Sequence, residues 1–150
     1  IKPAAPVRMI VMSVKPETQF ANSVNGKLPP LKVLHREKMN NPYRGGTADW
    51  WYSGRRADLW CEFKFLPRIP QRGIIDSKRL GFSALQLEWL RGRYAEGRNV
   101  CAIIGCPSGG VILRHLEWEK QMTPQQFVER LMDRKALARW IAGSTTHESA

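Results

Sequence analysis

The sequence predicts an α/β fold: a central mixed sheet of about five strands flanked by helices, in a single domain spanning residues 1–150. Three observations carry this expectation. Two aromatic and apolar runs, Asp49–Tyr52 and Leu59–Leu66, flank the turn-prone segment Ser53-Gly54-Arg55-Arg56, which is a hairpin signal. A helix with a serine cap follows at 83–95, and two further strand-like runs, Val100–Gly105 and Val111–Arg114, come after it. The length suits one hydrophobic core rather than two domains.

Taken in order, residues 1–7 are expected to be flexible, and Arg8–Val14 reads as disordered chain or a short first strand. Pro16 and Glu17 open a helix, since proline suits the first turn and an acid suits its positive end; Asn25-Gly26 stops it. Leu31–Arg36 alternates as a strand, and 40–46, with Asn40, Asn41, Pro42, Gly45 and Gly46, forms a loop. After the hairpin comes a long basic loop over 67–82. In the helix capped by Ser83, Leu85, Trp89 and Leu90 make the apolar stripe, and Gly97 ends it. Thr123-Pro124 opens a last helical region with Phe127, Leu131 and Met132 on one face, and 143–150 is expected to be a flexible tail.

Twenty-four Lys and Arg against thirteen Asp and Glu give a net charge of +11 and a pI near 10.1. Such an excess in one domain predicts a polyanionic partner, because each neutralised phosphate releases condensed counterions. No apolar run is long enough to span a membrane, no helix has a wholly basic face, and 1–14 lacks the apolar core of a secretory signal. Cys61, Cys101 and Cys106 stand in apolar surroundings without a zinc-like spacing. A reducing, cytoplasmic setting is expected, which is the host cytoplasm if the chain is phage-encoded.

The chemistry centres on Gly46-Thr47-Ala48-Asp49 and, thirteen residues after that acid, Glu62-Phe63-Lys64. Glu62 and Lys64 are two apart on a strand and leave the same face. Glu62 stands among Leu59, Trp60, Cys61 and Phe63, where an unpaired carboxylate is expensive to bury. A turn centred between Arg55 and Arg56 pairs residues whose numbers sum to 111, setting Asp49 opposite Glu62. Opposed Cβ atoms lie about 5 Å apart. Two carboxylates that close repel unless a divalent ion sits between them, and a hard ion on carboxylate oxygens is the magnesium pattern. Lys64 can then orient a water and offset charge on a phosphorane.

Asp49, a hairpin, and then Glu62-Phe63-Lys64 resembles the PD-(D/E)xK nuclease signature, with Ala48 in place of the usual proline. Gly46 ahead of the first acid adds to the likeness. So do Gln86 and Trp89, similar to the Q-x-x-W element of the VRR-Nuc group. The resemblance covers roughly 16–105 and implies a restriction-endonuclease-like core hydrolysing DNA with Mg²⁺, or Mn²⁺ in its place. Asp49, Glu62, Lys64 and Gln86 would form the catalytic set; Glu17 and the Phe63 backbone carbonyl would join Asp49 and Glu62 around the metal.

Blander readings stand beside these. Asp49 suits a turn cap, Glu62 and Lys64 a surface ion pair, Glu17 the helix dipole, and Gln86 a capping box with Ser83. Asp58, about 13 Å along the strand from Glu62, reads as hairpin surface. His35 reads as structural. Arg44, Arg55, Arg56, Arg68, Arg72, Lys78 and Arg79 are the candidate DNA contacts, or simply solvated. The expected activity is that of a phage-type DNA endonuclease selective for branched or structured DNA, since no separate sequence-reading module is legible. A site-specific homing or restriction-like enzyme, and a non-catalytic DNA-binding protein on a nuclease-like fold, are the alternatives. Cutting both strands calls for a homodimer.

Overall fold

The computed structural model describes residues 14–39 and 45–146. One five-stranded sheet runs in chain order: β1 (His35–Lys38), β2 (Trp50–Ser53), β3 (Asp58–Phe65), β4 (Val100–Cys106) and β5 (Gly109–Leu113). β1, β2 and β3 form an antiparallel meander, β4 runs parallel to β3, and β5 returns antiparallel. The sheet is therefore mixed. The parallel step demands a crossover, supplied by the 66–82 loop and helix α2 (Ala84–Ala95).

Period-two alternation divides β3 between two cores. Leu59, Cys61 and Phe63 join Phe20, Val24, Leu34, Tyr52, Ile103, Leu137 and Ile141 beneath α1 (Pro16–Asn25) and α4 (Arg134–Thr146). On the other face Leu66, Ala102, Ile104, Leu113 and Trp118 pack with Leu90 of α2 and Phe127 of α3 (Pro124–Glu129). Trp60, Glu62 and Lys64 point to that second face, so an acid and a lysine take places where the pattern calls for apolar residues.

The hairpin register is the one the residue-number sum requires. Trp50 pairs with Cys61, Trp51 with Trp60, Tyr52 with Leu59 and Ser53 with Asp58. The Gly54 N–H donates to the Ala57 carbonyl at 3.1 Å, leaving Arg55 and Arg56 at the tip. That tip is fastened from outside: the N–H groups of Arg56 and Ala57 donate to the Thr145 carbonyl at 2.9 and 3.1 Å.

Four expectations are corrected. The strand expected at 31–36 lies at His35–Lys38, because the Val33 and Leu34 N–H groups turn back onto the Pro30 carbonyl. Residues 143–146 are helix rather than tail, with Thr145 fully buried against the hairpin. The final helical region is two helices, α3 and α4, preceded by a 3-10 turn at Glu117–Glu119. Leu85 is 56% exposed, so the α2 stripe is not wholly core. The expected flexible end 1–7, residues 8–13 of the optional first strand, Tyr43, Arg44 and 147–150 lie outside the described residues. No helix among the described residues is long and apolar enough to cross a membrane.

Candidate active site

The site forms where β2 begins and β3 ends. Gly46 shapes the approach to β2 with φ +95°, and a Cβ there would lie 2.5 Å from the Leu85 carbonyl oxygen. No other residue combines that left-handed turn with so close a passage over the start of α2. Ala48 is then fully buried, and the Asp49 carbonyl accepts from the Met39 N–H at 2.7 Å. The Asp49 side chain reaches across the end of β2, where its Oδ2 accepts from the Phe63 N–H at 3.0 Å.

Glu62 is 2% exposed. Its Oε1 accepts from Gln86 Nε2 at 3.0 Å and faces Lys64 Nζ at 3.6 Å. Its Oε2 is buried with no hydrogen-bond partner among the described atoms. Burial first, and then the negative charge of Asp49, push the Glu62 carboxyl up to about 9 against the pull of Lys64. Asp49 is raised too, chiefly by burial, with the Phe63 N–H and then Lys64 opposing. The charge of Asp49 acts on Glu62, so the two carboxyls bear on each other across the ribbon. Lys64, itself buried, lies over the Phe82 ring with Nζ 5.3 Å from the centroid.

Gln86 serves both readings the sequence left open. Its backbone N–H donates to Ser83 Oγ at 3.1 Å and its Oε1 accepts from the Ser83 N–H at 2.9 Å, completing a capping box. Its remaining amide is free to hold Glu62. Glu17, in the first turn of α1, lines a cleft of about 480 Å³ together with Asp49, Phe63, Lys15 and Lys38. The N–H and C=O of one strand residue leave by the same edge, so the Phe63 carbonyl points to the Asp49 side.

These residues fit a hard divalent cation. Asp49 and Phe63 line the cleft, and Glu62, with its orphaned buried oxygen, is the neighbour of Phe63 on β3. Among the described residues no three His, Cys, Asp or Glu side chains cluster as a metal cage.

The other candidates distribute unevenly. Arg68, Arg72, Lys78 and Arg79 are exposed on the loop that leaves β3 at the site end of the sheet. Arg55 and Arg56 occupy the hairpin tip, at the opposite end of β2 and β3 from Asp49. His35 pairs with Ser53 toward that same far end and with Glu37 at 2.9 Å, away from the site. Lys15 and Lys38 were not singled out from sequence. The β1–β2 register, with Lys38 opposite Trp50, is the signal that would have found Lys38.

Neither a protein-family model nor a curated protein matches the sequence. Among solved structures, the chain is similar to Hjc, a Holliday junction resolvase from the archaeal hyperthermophile Archaeoglobus fulgidus. The match has a TM-score of 0.51 at 14% identity, covering 81% of this chain and 98% of that one. With its mixed five-stranded sheet between helical layers, the chain shares the fold of that resolvase, the restriction-endonuclease-like core expected from the sequence.

Proposed function

We propose that the protein is a metal-dependent DNA endonuclease, with Mg²⁺ as its ion and branched or otherwise structured DNA as its substrate. The observation that carries the reading is the meeting of Asp49 and Glu62, with one Glu62 oxygen orphaned and Lys64 and Gln86 on the other. A fold without chemistry has no reason to keep that arrangement, since an uncompensated buried carboxyl pair costs stability. The net charge of +11 suits DNA, and the similarity to a Holliday junction resolvase favours a branched substrate.

Asp49, Glu62 and the Phe63 carbonyl would hold the ion, with Glu17 across the cleft as an outer contact. When bound, it supplies positive charge at the phosphate and activates water. The remaining work falls to the chain. Gln86 orients Glu62 through its Oε1 and fixes which oxygen is left for the cation. Lys64, held between Glu62 and the Phe82 ring, presents an ammonium that orients the attacking water and offsets charge on the phosphorane. Lys15 and Lys38 flank the mouth as phosphate contacts, and the exposed cations of the 67–82 loop extend that surface. A symmetric pair of chains would place one such site on each strand.

The test is incubation of the protein with a synthetic four-way junction and with linear duplex, in Mg²⁺ or in EDTA. The expected result is Mg²⁺-dependent nicking of the junction in preference to duplex, lost in Glu62→Ala. Tight binding without cleavage under any divalent ion would refute the enzymatic reading. Equal cleavage of both DNAs would refute the substrate preference.

A further inference from the structure

Beside the carboxyl pair lies an aromatic ridge that the proposed chemistry does not use. Trp51 stacks on Trp60 (centroids 5.8 Å apart, planes at 20°), and Trp60 meets Trp89 edge to face at 5.7 Å. Trp89 and Arg93, one helical turn apart on α2, line two clefts at once. One cleft, of about 460 Å³, continues over Thr47, Trp60, Arg98 and Asn99; the other, of about 440 Å³, continues over Leu85, Glu88 and Gly92. The half-buried indole of Trp89 is therefore a partition between two open spaces.

Placement ties this ridge to the catalytic residues. Trp60 and Glu62 leave the same face of β3 two residues apart, about 7 Å at strand rise. Gln86, which holds Glu62, lies three residues before Trp89 on α2. Gly92 is the second oddity. A glycine inside a helix is disfavoured against alanine, and here no packing requires it, since a Cβ would meet nothing within 4 Å. Its absent side chain leaves the second cleft open.

The charges suit a nucleic acid strand. Arg98 is exposed, and Arg93 makes an exposed pair with Glu96 at 2.9 Å, readily exchanged for a phosphate. The acids present are Asp58, whose Oδ1 accepts from Ser53 Oγ at 2.6 Å, and Glu88. Both can accept from exocyclic base amino groups.

We infer that the two clefts bind consecutive bases of an unpaired DNA strand, one on each side of Trp89, with Arg93 and Arg98 on its phosphates. The inference deepens the nuclease reading, on which its placement beside the scissile bond rests. A strand threaded along α2 would be gripped by stacking, which tolerates any base.

The experiment measures binding of a fluorescent eight-nucleotide single strand in EDTA by anisotropy and by quenching of tryptophan emission. Trp89→Ala is expected to weaken binding by about fivefold or more, and Trp89→Phe to retain most of it. Arg98→Ala is expected to make the salt dependence shallower. Gly92→Leu fills the second cleft while improving helix propensity; it is expected to raise the melting temperature and still lose at least about fivefold in affinity. Wild-type affinity in both Gly92→Leu and Trp89→Ala would overturn the inference. Normal cleavage by those unaffected variants would sink the base site alone. The expected binding pattern, with DNA left intact in Mg²⁺, would sink the nuclease reading and leave the base site standing.

Discussion

In metal-free buffer, Glu62→Gln should become more stable than the parent as pH rises. Glutamine reproduces the protonated acid: its carbonyl can accept from Gln86 and its amide can donate to Asp49. In the parent, the folded Glu62 carboxyl holds its proton to about 9, whereas the unfolded chain releases it near 4.5. Between those values the unfolded state binds fewer protons, so rising pH favours unfolding. Four pH units at about 1.4 kcal/mol each set a ceiling of about 5 kcal/mol by pH 8.5. The polar response of the cleft reduces this to about 2 kcal/mol. At about 2–4 °C per kcal/mol for a domain of this size, the gap in Tm between variant and parent should widen by about 4–8 °C from pH 5 to pH 8.5. Thermal melts followed by circular dichroism in EDTA read this directly. Tyr52 and Cys61, whose groups burial also pushes well up, stay protonated in both folded proteins across this range. Parallel curves for the two proteins would refute the protonated-carboxyl argument. Millimolar Mg²⁺ should raise the Tm of the parent at pH 8.5 and leave the variant almost unmoved, because a ligand stabilises only the state that binds it.

Further outcomes separate positioning from chemistry. Lys64→Met keeps the stem against Phe82 and removes the ammonium, so cleavage should fall by about 100-fold or more with the junction still bound, as read by gel shift and nicking rate. Ser83→Ala should cost about 1 kcal/mol in chemical denaturation, the worth of an N-cap, with cleavage retained. Gln86→Ala should lose both the cap and the cleavage rate. Gly46→Ala should cost about 2 kcal/mol or more and lower activity, because a methyl there meets the Leu85 carbonyl. Lys38→Ala should raise KM for DNA and flatten its salt dependence with little change in kcat.

Much of the architecture was legible because it follows from local chemistry. A tip at Arg55 and Arg56 fixes every pair in the hairpin by arithmetic, and the Ser83 box fixes the start of α2. The sequence pattern went astray where distant contacts outvote propensity. Gly143-Ser144-Thr145-Thr146 is a poor helix by composition, yet Thr145 lies buried with its carbonyl engaged by the hairpin tip. The alternation of 31–36 was overridden by a turn onto Pro30, which slid β1 toward Lys38 and hid that lysine from the sequence argument. The carboxyl pair was legible in sequence, whereas the cleft shared by α1 and β1 was not, since no short-range rule brings Lys15 to Lys38. In sequence Trp89 reads as part of the apolar stripe of α2, and its open side emerges once α2 is laid across β3.

The clasp between Thr145 and the hairpin tip has a consequence for biosynthesis. The ribbon that aligns the two acids spans 49–62, but the carbonyl that pins its bend is almost the last of the described residues to be made. While the chain is being translated, the ribbon is denied that anchor until position 145 clears the ribosomal tunnel. The bend is therefore pinned late, so a truncated product ending before α4 would emerge with its hairpin tip unanchored.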